Sequence, residues 1–150
     1  MYYVVYGFLW LISLLPLRVL YIFSECLFGL LFYVFTYRKQ IVLDNLLHAF
    51  PEKTAAERQR IAKQFYLNFI DTFMESIKLI TMSERQIRKR STCEVERINE
   101  LIAKGKNIHI MAGHQFNWEF GNLISALNLA IPYVGIYMPI RNKVLDRIFF

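Results

Sequence analysis

The chain has 150 residues, enough for one domain of ordinary size, but 55% of them are hydrophobic and 16% aromatic, which is unusual for a soluble domain. Arg18 and Glu25 are the only charged side chains before Arg38, so the net charge of +6 belongs to the rest of the chain. Cys26 and Cys93 lie far apart without metal-type spacing, which argues against a cysteine metal site or a disulfide framework and predicts a reducing, cytoplasmic environment.

The first 37 residues are predicted to form a membrane anchor. Met1–Leu17 carries no charge, and Val19–Tyr37 has Glu25 as its only ionised group. The second segment meets the roughly 20 apolar residues that a spanning helix needs, and the first is at the lower limit. Pro16 is expected to break the helix between them. The aromatic residue and two positive charges of Tyr37–Gln40 favour a cytoplasmic exit. A buried hairpin of a soluble protein and a helix lying at the membrane interface are the alternatives.

The next segment is predicted to be helical. Pro51 ends one apolar stretch, and Thr54 with Glu57 forms a capping box for a helix from Ala55 to about Met82. Apolar residues recur at helical spacing along this helix, and they are expected to form its core face: Ile61, Phe65, Phe69, Phe73, Ile77 and Ile80.

A short basic helix is predicted next, because Ser83 and Gln86 repeat the capping pattern. Its basic residues are Arg85, Arg88, Lys89 and Arg90. They could contact phospholipid headgroups or an acidic carrier protein, or form a solvated helix face. Nucleic acid is not expected as a partner, because the aromatic residues are not interleaved with the basic ones.

The last third of the chain predicts alternating helices and strands. Arg97–Lys106 is predicted to form an amphipathic helix with Gly105 in the left-handed C-cap position. Asn107–Gly113 and Ile131–Met138 are predicted strands, separated by a helix over Asn117–Asn128. The predicted fold class is therefore α/β: an N-terminal membrane helix, then helices and the start of a helix-covered, mostly parallel sheet.

A histidine and a glutamate follow the first predicted strand. If His114 ends the strand and Glu119 lies in the first turn of the next helix, with Asn117 as N-cap, the carboxylate can fold back towards the imidazole. Such a pair can act as a general base, and without a serine or cysteine nucleophile nearby it favours direct attack by a substrate hydroxyl. Zinc is a weaker interpretation, since the other histidines are His48 and His109 and no H-E-x-x-H motif is present.

Three ordered blocks resemble a known family. "GHQFNWE", Gly113–Glu119, is similar to the G-H-x-x-N-W-E block of bacterial lipid A biosynthesis (late, secondary) acyltransferases, a branch of the lysophospholipid acyltransferase superfamily. Asn45–Arg58 resembles the N-L-x-x-A-F-P-E segment, and Tyr137–Asp146 resembles the downstream Y-x-P-x-x-N-x-x-x-D block. The resemblance implies a membrane anchor over residues 1–37 and the N-terminal part of an acyltransferase domain over residues 38–150.

The resemblance also implies a function at the bacterial inner membrane, with the catalytic part facing the cytoplasm. The enzyme would move a fatty acyl chain from acyl carrier protein to a hydroxyl of a lipid A precursor, without a metal or other cofactor. His114 would be the general base and Glu119 would orient it and compensate its charge, while Asn117 and Asn142 are candidates for substrate binding and Asp146 is a motif match. The alternatives are a lysophospholipid or aminolipid acceptor, and a truncated, inactive membrane-anchored fragment.

Overall fold

The computed structural model describes residues 1–111, 113 and 117–149. The chain divides into two compact units: unit 1 comprises Met1–Leu14 and Ser76–Phe150, and unit 2 comprises Leu15–Glu75. The helices are α1 Tyr2–Ser13, α2 Leu17–Gly29 with a π-helical turn at Leu30–Val34, α3 Lys39–Ala49, α4 Ala55–Leu79, α5 Glu84–Arg90, α6 Glu96–Ala103, α7 Trp118–Asn128 and α8 Lys143–Phe149.

The core of unit 2 lies where α2 and its π-helical turn meet α4. Phe32 and Ala62 are fully buried and Tyr66 is nearly so, and four residues pack around them: Phe28, Val42, Leu43 and Leu46. The rings of Phe32 and Tyr66 meet edge to face with centroids 5.3 Å apart. The Tyr66 hydroxyl also donates to the carbonyl of Tyr37. Burial of Tyr66, and secondarily the nearby Tyr37, raises the pKa of the Tyr66 phenol.

The face of α4 that forms this core is not the one that the sequence spacing predicted. Ala62, Tyr66 and Ile70 are buried, whereas the predicted aromatic stripe is about half exposed at Phe65 and Phe69. The prediction of a Phe65–Phe69–Phe73 core face is therefore wrong for unit 2. Apolar spacing identifies a stripe on a helix, but here two neighbouring stripes are apolar and the contacts with α2 decide which one is buried.

Polar side chains also join α2 to α4. Tyr21 donates to the Glu75 carboxylate over 2.7 Å, and the Ser24 hydroxyl donates to Asp71. Beside these bonds lies a cavity of about 340 Å³, bounded by Tyr21, Glu25, Gln64, Leu67, Asp71 and Glu75. The apolar helix α2 therefore presents a polar flank to α4.

In unit 1, the end of α1 is held by residues at and after the end of α4. The carbonyl of Ser13, which is fully buried, accepts hydrogen bonds from Lys78 Nζ and Thr81 Oγ1, both 2.7 Å long. These donors satisfy a carbonyl at the C-terminus of α1, where a positive charge is also favoured by the helix dipole. Burial, and secondarily the Arg90 guanidinium, lowers the pKa of Lys78.

Several local predictions are confirmed. Thr54 and Glu57 exchange the capping-box hydrogen bonds, since Thr54 N donates to Glu57 over 2.8 Å and Glu57 N donates to Thr54 Oγ1 over 3.3 Å. Ser83 and Gln86 form a complete capping box at α5. Gly105, with φ of +69°, takes the left-handed conformation just after α6. Pro16 lies between α1 and α2, as expected.

The predicted α/β fold is wrong for the part of the chain that the structure describes, because its regular elements are all helices. The described residues of Asn107–Gly113 and all of Ile131–Met138 form no strand. Except for the half-buried Ile108, their described apolar side chains are exposed, with Met111 at 96% and Ile136 at 98%. A strand is stabilised by hydrogen bonds to neighbouring strands, and two short segments without a wider sheet do not supply them.

One helical stretch among the described residues, Leu17–Val34, is long and apolar enough to cross a bilayer, judged by length and composition alone. Only 22% of it is buried within the protein. The predicted boundary at residue 37, between an anchor and the acyltransferase part, stays a prediction.

Candidate active site

The N-terminus of α7 carries the described part of the candidate site. Asn117 is the N-cap of this helix, as predicted, and its side-chain oxygen accepts a hydrogen bond of 3.1 Å from the backbone N–H of Phe120. Glu119 lies in the first turn of α7, also as predicted, where a carboxylate is favoured by the helix dipole. A short polar cap therefore holds the segment that places Glu119.

Glu119 has one oxygen with an unusual environment. Its Oε2 is buried from solvent, and no hydrogen-bond donor reaches it from the described residues. A buried carboxylate oxygen is costly unless a donor satisfies it, so this oxygen is a ready acceptor for an N–H or O–H group. His114, the predicted partner of Glu119, lies outside the described residues.

The other end of α7 is fixed by contacts that the sequence did not predict. Arg88 donates to the carbonyl of Leu127 over 2.8 Å and to the side chain of Asn128 over 2.9 Å. Asn99 donates to the carbonyl of Asn128 over 3.1 Å and accepts from Ala130 N over 2.9 Å. These contacts join positions about 30 to 40 residues apart, so no local sequence signal could have revealed them.

This arrangement separates Arg88 from the rest of the predicted basic cluster. Arg88 also pairs with Glu84 over 2.7 Å, so all of these contacts of its guanidinium are with residues of unit 1. Arg85, Lys89 and Arg90 are exposed. Of the predicted basic cluster, these three residues therefore remain available to an anionic partner, and we call them the α5 basic surface.

Asn142 and Asp146 form a local cap for α8. The Asn142 side-chain oxygen accepts from Val144 N over 3.0 Å, and Asp146 accepts from Ile140 N over 2.7 Å. The Asn142 carbonyl accepts from Asp146 N over 2.9 Å. The spacing of an Asn before a helix and an acidic residue in its first turn is the signal that identifies such a cap. A role of Asn142 in substrate binding stays a prediction.

No group of three His, Cys, Asp or Glu side chains that could hold a metal ion occurs within residues 1–111, 113 and 117–149.

The polar cavity of unit 2 was not predicted from the sequence. Its sequence signal is the presence of Tyr21 and Glu25 one turn apart in the mostly apolar α2, matched by Asp71 and Glu75 one turn apart in α4.

Comparison with known proteins found no significant match among curated proteins and none among solved structures. One family model, described as bacterial lipid A biosynthesis acyltransferase, matches residues 1–150. This match covers the resembling blocks around Asn45–Arg58, Gly113–Glu119 and Tyr137–Asp146 together. The chain belongs to the bacterial lipid A biosynthesis acyltransferase family.

Proposed function

We propose that this acyltransferase moves a fatty acyl chain from the thioester of acyl carrier protein to a hydroxyl of a lipid A precursor. A ring nitrogen of His114 takes the proton of the hydroxyl while the hydroxyl oxygen attacks the thioester carbonyl carbon. The carbon–sulfur bond then breaks, and the imidazolium returns the proton to the departing thiolate. The products are an ester and a free thiol, and no covalent enzyme intermediate forms.

The environment of Glu119 is the main support for this proposal. Its position in the first turn of α7 matches the G-H-x-x-N-W-E block, and its buried Oε2 can accept a hydrogen bond that no described residue donates. An imidazole N–H is the donor that the motif supplies. A carboxylate in that position fixes the tautomer of His114 and stabilises the imidazolium that forms when the hydroxyl is deprotonated.

The Asn117 cap supports the same geometry. Because the Asn117 side chain is bonded to Phe120 N, the first turn of α7 is held in a defined orientation and Glu119 with it. Asn117 and Asn142 are proposed to lie near the substrate. Each side chain caps a helix within one of the family's motif blocks and so fixes the position of that helix end.

The partners follow from charge and composition. The α5 basic surface can bind the acidic acyl carrier protein by electrostatic attraction. Leu17–Val34 brings the protein to the membrane that holds the lipid acceptor, with the acyltransferase part on the cytoplasmic side of the bacterial inner membrane.

The experiment is an acyl-transfer assay on purified protein in lipid vesicles, with acyl carrier protein carrying a labelled acyl chain as donor. Wild type should transfer label to a tetra-acylated lipid A precursor, and Glu119→Gln should lower the rate because an amide cannot compensate an imidazolium charge. Glu119→Asp, which keeps the charge, should recover part of the rate. Equal rates for wild type and Glu119→Gln would contradict the assigned role of Glu119.

A parallel reaction tests the acceptor. The same donor is offered with a lysophospholipid in place of the lipid A precursor. Transfer to the lysophospholipid and not to the precursor would overturn the proposed acceptor while leaving the acyltransferase chemistry intact. Thioester consumption that is the same with and without enzyme would overturn the proposed activity itself.

A further inference from the structure

The α2–α4 pair of unit 2 has two chemically different sides. Ser24 bonds to Asp71, and Phe32 contacts Tyr66. Residue numbers therefore increase along α2 and its π-helical turn while those of their contact partners decrease along α4. The two helices are therefore antiparallel. The flanks of this line of contact form two separate sides of the pair.

The polar side is defined by the residues around the cavity: Tyr21, Glu25, Gln64, Leu67, Asp71 and Glu75. Arg18 lies seven residues before Glu25, which is nearly two full helical turns, so it lies on the same flank of α2. Both charged residues that interrupt the apolar run of α2 thus belong to the polar side.

The apolar side lies on the opposite flank. At 100° per residue, Phe23 lies on one side of Ser24 and Glu25 on the other, and Leu27 follows Phe23 one turn later. Phe23 is 54% exposed and Leu27 is 36% exposed. On α4 the same flank carries three phenylalanines that are half exposed and touch ring to ring: Phe65, Phe69 and Phe73.

We propose that unit 2 lies flat on an anionic lipid bilayer, with its apolar side in the acyl-chain region and its polar side facing water. If α2 crossed the bilayer while packed on α4, then Asp71 and Glu75 would lie at hydrocarbon depth, where ionised side chains are costly. A helix that lies in the interface needs one apolar face and one polar face, and the pair has both.

Basic groups at one end of the pair fit anionic headgroups. Lys39 Nζ lies 4.2 Å from the centre of the Phe32 ring, and Lys63 Nζ lies 5.5 Å from the centre of the Tyr33 ring. Aromatic and basic side chains together are typical of headgroup depth, and lysine near the surface is attracted to anionic lipid. This complementarity favours a lipid surface over a protein as the occupant of the apolar side.

The inference rests on the membrane association in the proposed function, but it does not depend on acyl transfer. It is tested with nitroxide labels on single cysteines, in a Cys26→Ser, Cys93→Ser background. Phe69→Cys places the label on the apolar side, and Gln64→Cys places a matched label on the polar side of the same helix. The protein is bound to vesicles of phosphatidylethanolamine and phosphatidylglycerol, and each label is exposed to oxygen, which concentrates in lipid, or to a water-soluble nickel chelate.

We expect the label at position 69 to collide mainly with oxygen and the label at position 64 mainly with nickel. Two labels in lipid would mean that the pair is embedded, and two labels in water would mean that α4 is off the bilayer, so either result overturns the inference. Protein that does not bind vesicles at all would also remove the membrane association on which it rests. Unchanged helix content of both variants by circular dichroism ensures that the comparison is made on folded protein.

A second measurement uses the two ends of the apolar run. Arg18→Cys and Arg38→Cys, each in the Cys26→Ser, Cys93→Ser background, are labelled with a membrane-impermeant maleimide added to one side of sealed vesicles, after reconstitution in a single orientation. A flat arrangement predicts that both cysteines react from the same side. Reaction of the two ends from opposite sides would show a spanning helix and overturn the inference.

Discussion

Two adjacent residues on α4 test which face of this helix forms the core of unit 2. Ile70 is 2% exposed, whereas Phe69 is 48% exposed. Replacing a buried isoleucine with alanine removes its apolar contacts and leaves a cavity, at a cost of about 2–5 kcal/mol. Phe69→Ala should cost about 1 kcal/mol, since half of the ring is already exposed and full burial of a phenylalanine is worth about 1.5–3 kcal/mol. The smaller side chain is therefore expected to matter more.

The assay is urea unfolding in mild detergent, followed by far-ultraviolet circular dichroism. Tryptophan fluorescence is unsuitable for unit 2, because Trp10 and Trp118 both belong to unit 1. A free energy of unfolding that falls at least as much for Phe69→Ala as for Ile70→Ala would refute the assigned core and restore the aromatic stripe to that role.

Three further predictions concern the α5 basic surface, the cap of α4 and the turn before α3. Arg85→Glu with Lys89→Glu should raise KM for the acyl carrier protein donor with little change in kcat, because the acidic carrier then meets repulsion. Hydrogen bonds from Thr54 lower the pKa of Glu57. The stability that Glu57 adds should therefore be complete above its unfolded-state pKa and be lost as pH falls through the lower folded-state pKa. Unfolding of Glu57→Ala and of wild type at several pH values would measure this loss. Thr36, with φ of 45°, is strained in the left-handed region, so Thr36→Gly should raise the free energy of unfolding by about 1 kcal/mol.

Each of these predictions has a control. Lys104→Glu with Lys106→Glu makes the same charge change on other exposed positions of unit 1 and should leave KM nearly unchanged. An equal rise in KM would mean that net charge, not the α5 basic surface, attracts the donor. A stability difference for Glu57→Ala that persists unchanged at low pH would contradict the capping account. Thr36→Ala retains a Cβ atom, so a gain as large as that of glycine would show that strain is not the cause.

Helix ends were the part of the fold that sequence could predict. The boxes at Thr54 and Ser83, the left-handed Gly105 and the Asn117 cap all occur as expected. Each depends on hydrogen bonds or dihedral angles within a few residues, so the local sequence contains all the information that they need.

Features that depend on distant partners were not predictable. The expected strands at Asn107–Gly113 and Ile131–Met138 have suitable residues, but a strand forms only where another strand pairs with it. The choice of the Tyr66 face on α4 depends on Phe32, and the fixing of α7 depends on Arg88. For the candidate site, the sequence correctly predicted that Glu119 lies in the first turn of α7. The burial of its Oε2 could be identified only from the structure.

The central claim, acyl transfer by a His114 general base, is tested most directly by measuring the transfer rate of His114→Ala beside His109→Ala. His109 is an exposed histidine five positions earlier, so it controls for the loss of an imidazole near the site. We expect His114→Ala to lower the rate from acyl carrier protein to the lipid A precursor by about 10²- to 10⁴-fold, the usual contribution of a general base, and His109→Ala to retain the wild-type rate. A His114→Ala variant that transfers acyl chains at the wild-type rate would contradict the account.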